Sequence, residues 1–186
     1  MSSSTVIGDV TLTLQELLKD EQSPAGLFAV SLKSPADEIV EPMKPKINLF
    51  LFHVIESEFT RGGDWQPVGA DTLRYPPLAL NLFYVMTPYI EDKLDEQRIF
   101  GEAMRVFHDN SIIDAAALKG TLENSAEELK VDLVRSSMEQ LTQIWSALGK
   151  AYRLSVVYQV RMVLIDSLIE RGARRVLEQQ VLTEQM

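Results

Sequence analysis

"INLFLFHVIES", residues 47–57, carries apolar side chains on both faces that an extended chain would present. Ile47, Leu49 and Leu51 point one way and Phe50, Phe52 and Val54 the other, because successive side chains alternate sides along a strand. A strand apolar on both sides is normally covered on both, by helices or by a neighbouring subunit. "PPLALNLFYVMTP", residues 76–88, repeats the pattern, and Pro88 is expected to close it.

Outward from these two strands the pattern alternates in type. Val6, Val10, Leu14, Leu17 and Leu18 recur at helical spacing, although the alternation in "VTLTL" leaves a strand as the alternative there. "GLFAVSLKSP", residues 26–35, reads as a strand stopped by Pro35, and the proline-rich 34–45 as a loop. Residues 60–76 read as a long loop; the RGG at 61–63 has neither the repeat nor the basic context of an RNA-binding segment. A helix is expected from about Glu91 to Asp109 and a strand over "ELKVDLVR", 128–135. A second helix spans "SSMEQLTQIWSALGK", with Ser136 or Ser137 as cap, Glu139 or Gln140 completing a capping box, and Gly149 at its end. Leu141, Ile144, Trp145 and Leu148 form its apolar stripe.

The longest strand is "YRLSVVYQVRMVLIDS", 152–167. Its even positions from Leu154 to Leu164 are apolar, and Ser155, Gln159 and Arg161 make the other face partly wet. Residues 168–186 read as a helical or frayed tail after one domain over 1–167. This order predicts an α+β fold: a single mixed, mainly antiparallel sheet with helices packed on one side. The expected structural core includes Phe50, Phe52, Leu82, Phe100, Phe107, Trp145 and Tyr158. Candidate interface residues are Arg153, Ser155, Gln159 and Arg161 at the last strand, with Arg171, Arg174 and Arg175 in the tail. Those three arginines, among Glu170 and Glu178, otherwise read as a solvated helix face.

Composition narrows the function classes. The chain has 186 residues, 46% of them hydrophobic and 24% charged, which suits one folded domain. A formal net charge of −9 repels phosphate and argues against nucleic acid as a partner. The chain has no cysteine, so disulfides and thiolate metal sites are excluded. The nearly uncharged run from Tyr75 to Ile90 is too short and too interrupted for a membrane span. The first residues lack the basic start and apolar run of a secretory signal, so a cytoplasmic protein, or one released without a signal peptide, is expected.

"AMRVFHDN", 103–110, holds one of only two histidines beside an aspartate. On a helical wheel Ile99, Phe100, Ala103, Met104, Val106 and Phe107 share one arc. The opposite arc offers ion pairs: Arg98 with Glu102, Glu102 with Arg105, and Arg105 with Asp109. Neighbouring helical residues diverge by about 100°, so His108 and Asp109 lack a relay geometry, and residues 104 and 112 offer no second metal ligand. The pair reads as the end of a helix, with Asn110 placed to turn left-handed. Asp92, Asp95 and Glu96 read as solvated carboxylates at that helix's start. Ser155 and Ser167 lack a nucleophile elbow, so neither an enzyme nor a cofactor is expected.

Four blocks in this order, "INLFLFHV", "PPLALNLFYVMTPY", "GEAMRVFHDNSII" and "LTQIWSAL" followed by "AYRLSVVYQVRMVLID", resemble one family. It is that of the tail-cap, or tail-terminator, proteins of extracellular contractile injection systems, phage-tail-like particles of the antifeeding-prophage and virulence-cassette type. The resemblance covers about residues 5–167. It implies a structural protein with a tail-terminator fold, assembled as a homo-hexameric ring at the end farthest from the baseplate. There it would cap the inner tube and the sheath, assembling in the cytoplasm and then forming part of the released or cell-associated particle. Longer relatives continue past this domain, and roles belonging to that extension do not carry over. A cytoplasmic adaptor or assembly chaperone for tube and sheath proteins is the alternative.

Overall fold

The computed structural model describes residues 5–21, 26–58, 64–68, 71–123 and 128–172, with Met162 by its backbone alone. In chain order the elements are α1 (Val6–Asp20), β1 (Ala29–Ser31), β2 (Lys46–Glu56), β3 (Gln66–Pro67), β4 (Thr72–Arg74) and β5 (Leu78–Tyr89). They continue with α2 (Lys93–Asp109), β6 (Ile112–Ile113), β7 (Leu129–Val134), α3 (Met138–Ala147), β8 (Val156–Ile165) and β9 (Glu170–Gly172). Six strands form one mixed sheet in the order β1-β2-β5-β8-β7-β6, in which only β1 and β2 run parallel. The α+β reading with a mainly antiparallel sheet holds.

Three details differ from the sequence reading. First, the expected loop at 60–76 contains β3 and β4, which join β9 in a small three-stranded sheet. Residues 170–172 are therefore strand where a helical or frayed tail was expected. Strands of two or three residues are too short to show a period, and here they are held by side chains. Arg74 bonds Glu170 at 2.8 Å, and the Arg171 guanidinium lies 4.0 Å over the Trp65 ring.

Second, β5 continues through Pro88 to Tyr89. The β8 ladder ends at Met86 opposite Val156, so the missing N–H of Pro88 faces no strand and costs no ladder bond.

Third, helices lie on both faces. α1 and α2 cover one, where Val10, Leu14, Leu49, Leu82, Tyr84, Phe107 and Val160 form the continuous core. Tyr158 meets Phe107 edge to face, 4.8 Å between ring centres. α3 lies on the other face, against Val134 and Val157.

Helix ends follow local chemistry. Asp92 caps α2 by accepting from the Leu94 and Asp95 amides, which holds its carboxyl below the ordinary range. Ser137 and Gln140 form the capping box of α3, and Gly149, at φ +67°, follows its end. Asn110 does not turn left-handed: its φ is −114°, and its side chain instead donates to the Val106 carbonyl at 2.9 Å. Asn can satisfy a terminal carbonyl by either route, and here it uses its amide.

Candidate functional site

On the second face of the sheet the even residues of β2 and the odd residues of β5 and β8 come together. At the lower end they are sealed. Trp145 is buried, its indole N–H donating to Ser155 Oγ at 3.0 Å, and Ser155 in turn donates to the Arg153 carbonyl. The Arg153 guanidinium stacks 4.7 Å over Tyr89 and reaches Glu96 at 3.5 Å. Glu96, expected in solvent, is buried and also pairs with Lys93 at 3.0 Å. Asn48, which is buried, donates to the Lys33 carbonyl at 2.8 Å.

The loop before β2 is pinned in the same region by Lys46, which pairs with both Glu38 and Glu41 at 2.9 Å. Burial raises the Glu38 pKa, but hydrogen bonds from Ser31 and Lys46 outweigh it and leave the carboxyl below its ordinary value. Hydrogen bonds from Lys46 and Lys44 bring Glu41 down to about 2. Met43, in that loop, is almost fully exposed and has a positive φ of 55°.

Farther along the strands the face opens into an apolar groove of about 660 Å³ between the sheet and α3. Phe50, Phe52 and Phe83 floor it, and Ile144 and Leu148 form its helical wall. A bulge in β2 between Leu51 and His53 sets an extra residue against β5. Phe52 and His53 consequently both reach the groove; His53 stands 5.7 Å from Phe83, ring centre to ring centre.

Several assignments change with this geometry. Phe50 and Phe52, expected in the core, are half-buried groove residues, because α3 is too short to cover them. Leu82, Phe100, Phe107, Trp145 and Tyr158 are buried. Ser155 is an interior hydrogen-bonding residue with 4% exposure, and so does not present an interface. Gln159 is half-buried, and Arg161 is exposed and bonds Asp132 at 2.6 Å. Arg171 belongs to β9, while Arg174 and Arg175 lie outside the described residues. The long strand β8 is hydrogen-bonded by β5 and β7 on its two sides, so it cannot receive a neighbour's strand along its paired length.

The sequence reading missed Phe83, Ile144 and Leu148 as a group. Their apolar character was visible, but their meeting depends on which face α3 takes.

His108 is exposed in the last turn of α2. Arg105 bridges Glu102 and Asp109, each at 2.7 Å, whereas Arg98 pairs with Asp95 at 3.1 Å. Burial pushes the Tyr84 and Tyr158 hydroxyls up to about 12. Among the described residues no group of three His, Cys, Asp or Glu could hold a metal ion. No described helix is long and apolar enough to cross a membrane.

The architecture is a mixed sheet closed on one face by α1 and α2 and left with an open apolar groove beside α3 on the other. The chain belongs to the Pvc16 N-terminal domain family, whose model matches residues 9–179. It is similar in structure to the sheath/tube terminator of the PVC extracellular contractile injection system in its extended state, with a TM-score of 0.67 at 19% identity. It is also similar to the tube-terminating cap of the anti-feeding prophage, with a TM-score of 0.63 at 18% identity. The matches cover 100% and 95% of this chain but 65% and 60% of those proteins, so the chain spans less than two thirds of their length. A search of the curated proteins found no match.

Proposed function

We propose that the chain is a structural cap of a contractile phage-tail-like particle, closing the distal end of inner tube and sheath and stopping their growth. The observation that carries this reading is its terminator fold, shared along its whole length with the PVC sheath/tube terminator. An open polymer built on unlike, repeating contacts keeps adding subunits until a unit occupies the growing end without offering the same surface again. A cap therefore needs a stable body and a surface free to engage the last layer. Here α1 and α2 supply the body, and the groove of Phe50, Phe52 and Phe83 supplies free apolar surface.

The partners in this reading are the tube protein, the sheath protein and further copies of the chain in a six-membered ring. No catalytic step is required. Assembly takes place in the cytoplasm, before the particle is released or anchored. The test is the composition of purified particles. A cap is present in fixed stoichiometry, and an antibody or gold label on it marks one end, opposite the baseplate. Absence from finished particles, with binding to free tube or sheath subunits, would favour an assembly chaperone instead.

A further inference from the structure

Three buried polar atoms at the sealed end of the second face have no hydrogen-bond partner among the described residues: Asn48 Oδ1, Thr87 Oγ1 and Arg153 Nε. Asn48 and Thr87 are both 0% exposed. They stand directly opposite one another in the ladder of β2 and β5, on the face that carries Phe50. Side chains facing each other in this way are about 4.5–5.5 Å apart at Cβ. Arg153 is held beside them, its guanidinium 4.7 Å over the ring of Tyr89. Tyr89 lies two residues along β5 from Thr87, on the same face.

The Asn48 amide is fixed in orientation. Its nitrogen donates to the Ser31 and Lys33 carbonyls, at 3.3 and 2.8 Å, so its oxygen is left to accept from elsewhere. The Arg153 guanidinium reaches Glu96 through Nη2, which leaves the Nε–H without an acceptor. Burying such groups bare costs stability, most of all for the charged guanidinium. A direct bond between Thr87 and Asn48 would satisfy two of the three atoms and still leave Arg153 Nε. The set comprises one acceptor, one donor and one hydroxyl that can serve either way. Arg153 repels a cation, and the Asn48 oxygen repels an anion. A small neutral molecule that accepts once and donates twice matches all three, and the enclosure admits nothing large.

We infer that one buried water molecule bridges Asn48, Thr87 and Arg153, accepting from Nε–H and donating to Oδ1 and Oγ1. It ties β2, β5 and the turn before β8 together at the end of the face that Trp145 seals. Phe50 stands two residues, about 7 Å, along the same face from Asn48, so the bridge lies where the groove stops. The site belongs to the single chain and stands whether or not the chain caps a particle.

Thr87→Val tests the bridge by the sign of its effect, because valine keeps the shape of threonine and lacks the hydroxyl. With the water in place, the change removes one of its partners and should lower the folding equilibrium constant roughly fivefold or more in denaturant unfolding. Unchanged or increased stability would overturn the bridge, because replacing an unpaired buried hydroxyl by an apolar group is neutral or stabilising. A high-resolution crystal structure of the wild-type chain needs no variant to fold. It should show an ordered water within about 3.2 Å of all three atoms. No water at that position, or Thr87 bonded directly to Asn48 with Arg153 Nε left bare, would overturn it as well.

Discussion

On one face of the sheet α1 and α2 bury Leu49, Leu82, Tyr84 and Val160 completely or nearly so; on the other, α3 buries Trp145 and leaves Phe50, Phe52 and Phe83 half-covered. The same strands supply both faces, and the second also carries large apolar residues, beside the polar Asn48, Ser155 and Gln159. What differs is the length and placement of the covering helices: α1 has 15 residues and α2 has 17, while α3 has 10. Apolar surface removed from water is worth roughly 25 cal/mol per Å², so the first face dominates stability. The second face holds that gain in reserve until something covers it. A domain that must fold alone and then join a polymer is served by this division.

The largest effect should come from the closed face. Phe107→Ala removes a fully buried ring packed edge to face against Tyr158 and should cost ~3–5 kcal/mol in denaturant unfolding. A shift of less than about 1 kcal/mol would break the comparison.

Trp145→Ala should cost about 3 kcal/mol, the low end for a large aromatic, because the half-open neighbourhood can partly close. It also takes away the donor to Ser155. An unchanged midpoint would mean that α3 contributes nothing to the monomer.

Phe52→Ala should cost about 1 kcal/mol or less, since only part of its surface is withdrawn from water, while weakening incorporation into particles. A loss as large as that of Phe107→Ala would place Phe52 in the core after all.

The smallest effect should be in pH. The folded pKa of Glu41 is lowered to about 2 from 4.5, and that of Glu38 is lowered too. Their contribution is present above pH 4.5 and is lost as the pH falls toward about 2. Unfolding midpoints measured across that range should fall with acid, and Lys46→Met should flatten the slope. A slope of equal size in that variant would mean that Lys46 does not hold the loop.

The long elements were legible because their patterns run for several periods. β2, β5 and α2 announce themselves in ten or more residues, and Ser137 with Gln140 marks the start of α3 chemically. What escaped is what depends on assembly in three dimensions. β3, β4 and β9 are too short to have a period, and their pairing rests on the distant partners Arg74–Glu170 and Trp65–Arg171. Alternation in β8 is interrupted where Leu80 and Leu82 face Val163 and Val160, so Val163 turns inward where Leu164 was expected. The bulge at Phe52 and the side taken by α3 decide whether Phe50 and Phe52 are core or groove, and neither is written in local sequence. Nor does strand length reveal position: β8 looked suited to reach a neighbour, yet it lies in the middle of the sheet.

The measurement that bears most directly on the cap is the length of particles, by electron microscopy, from a strain lacking this chain, compared with the wild type. Sheath and tube of uncontrolled length, or particles fraying at the distal end, are expected, with restoration by the wild-type chain. Normal, uniformly ended particles in that strain would contradict the cap and leave the chaperone reading in its place.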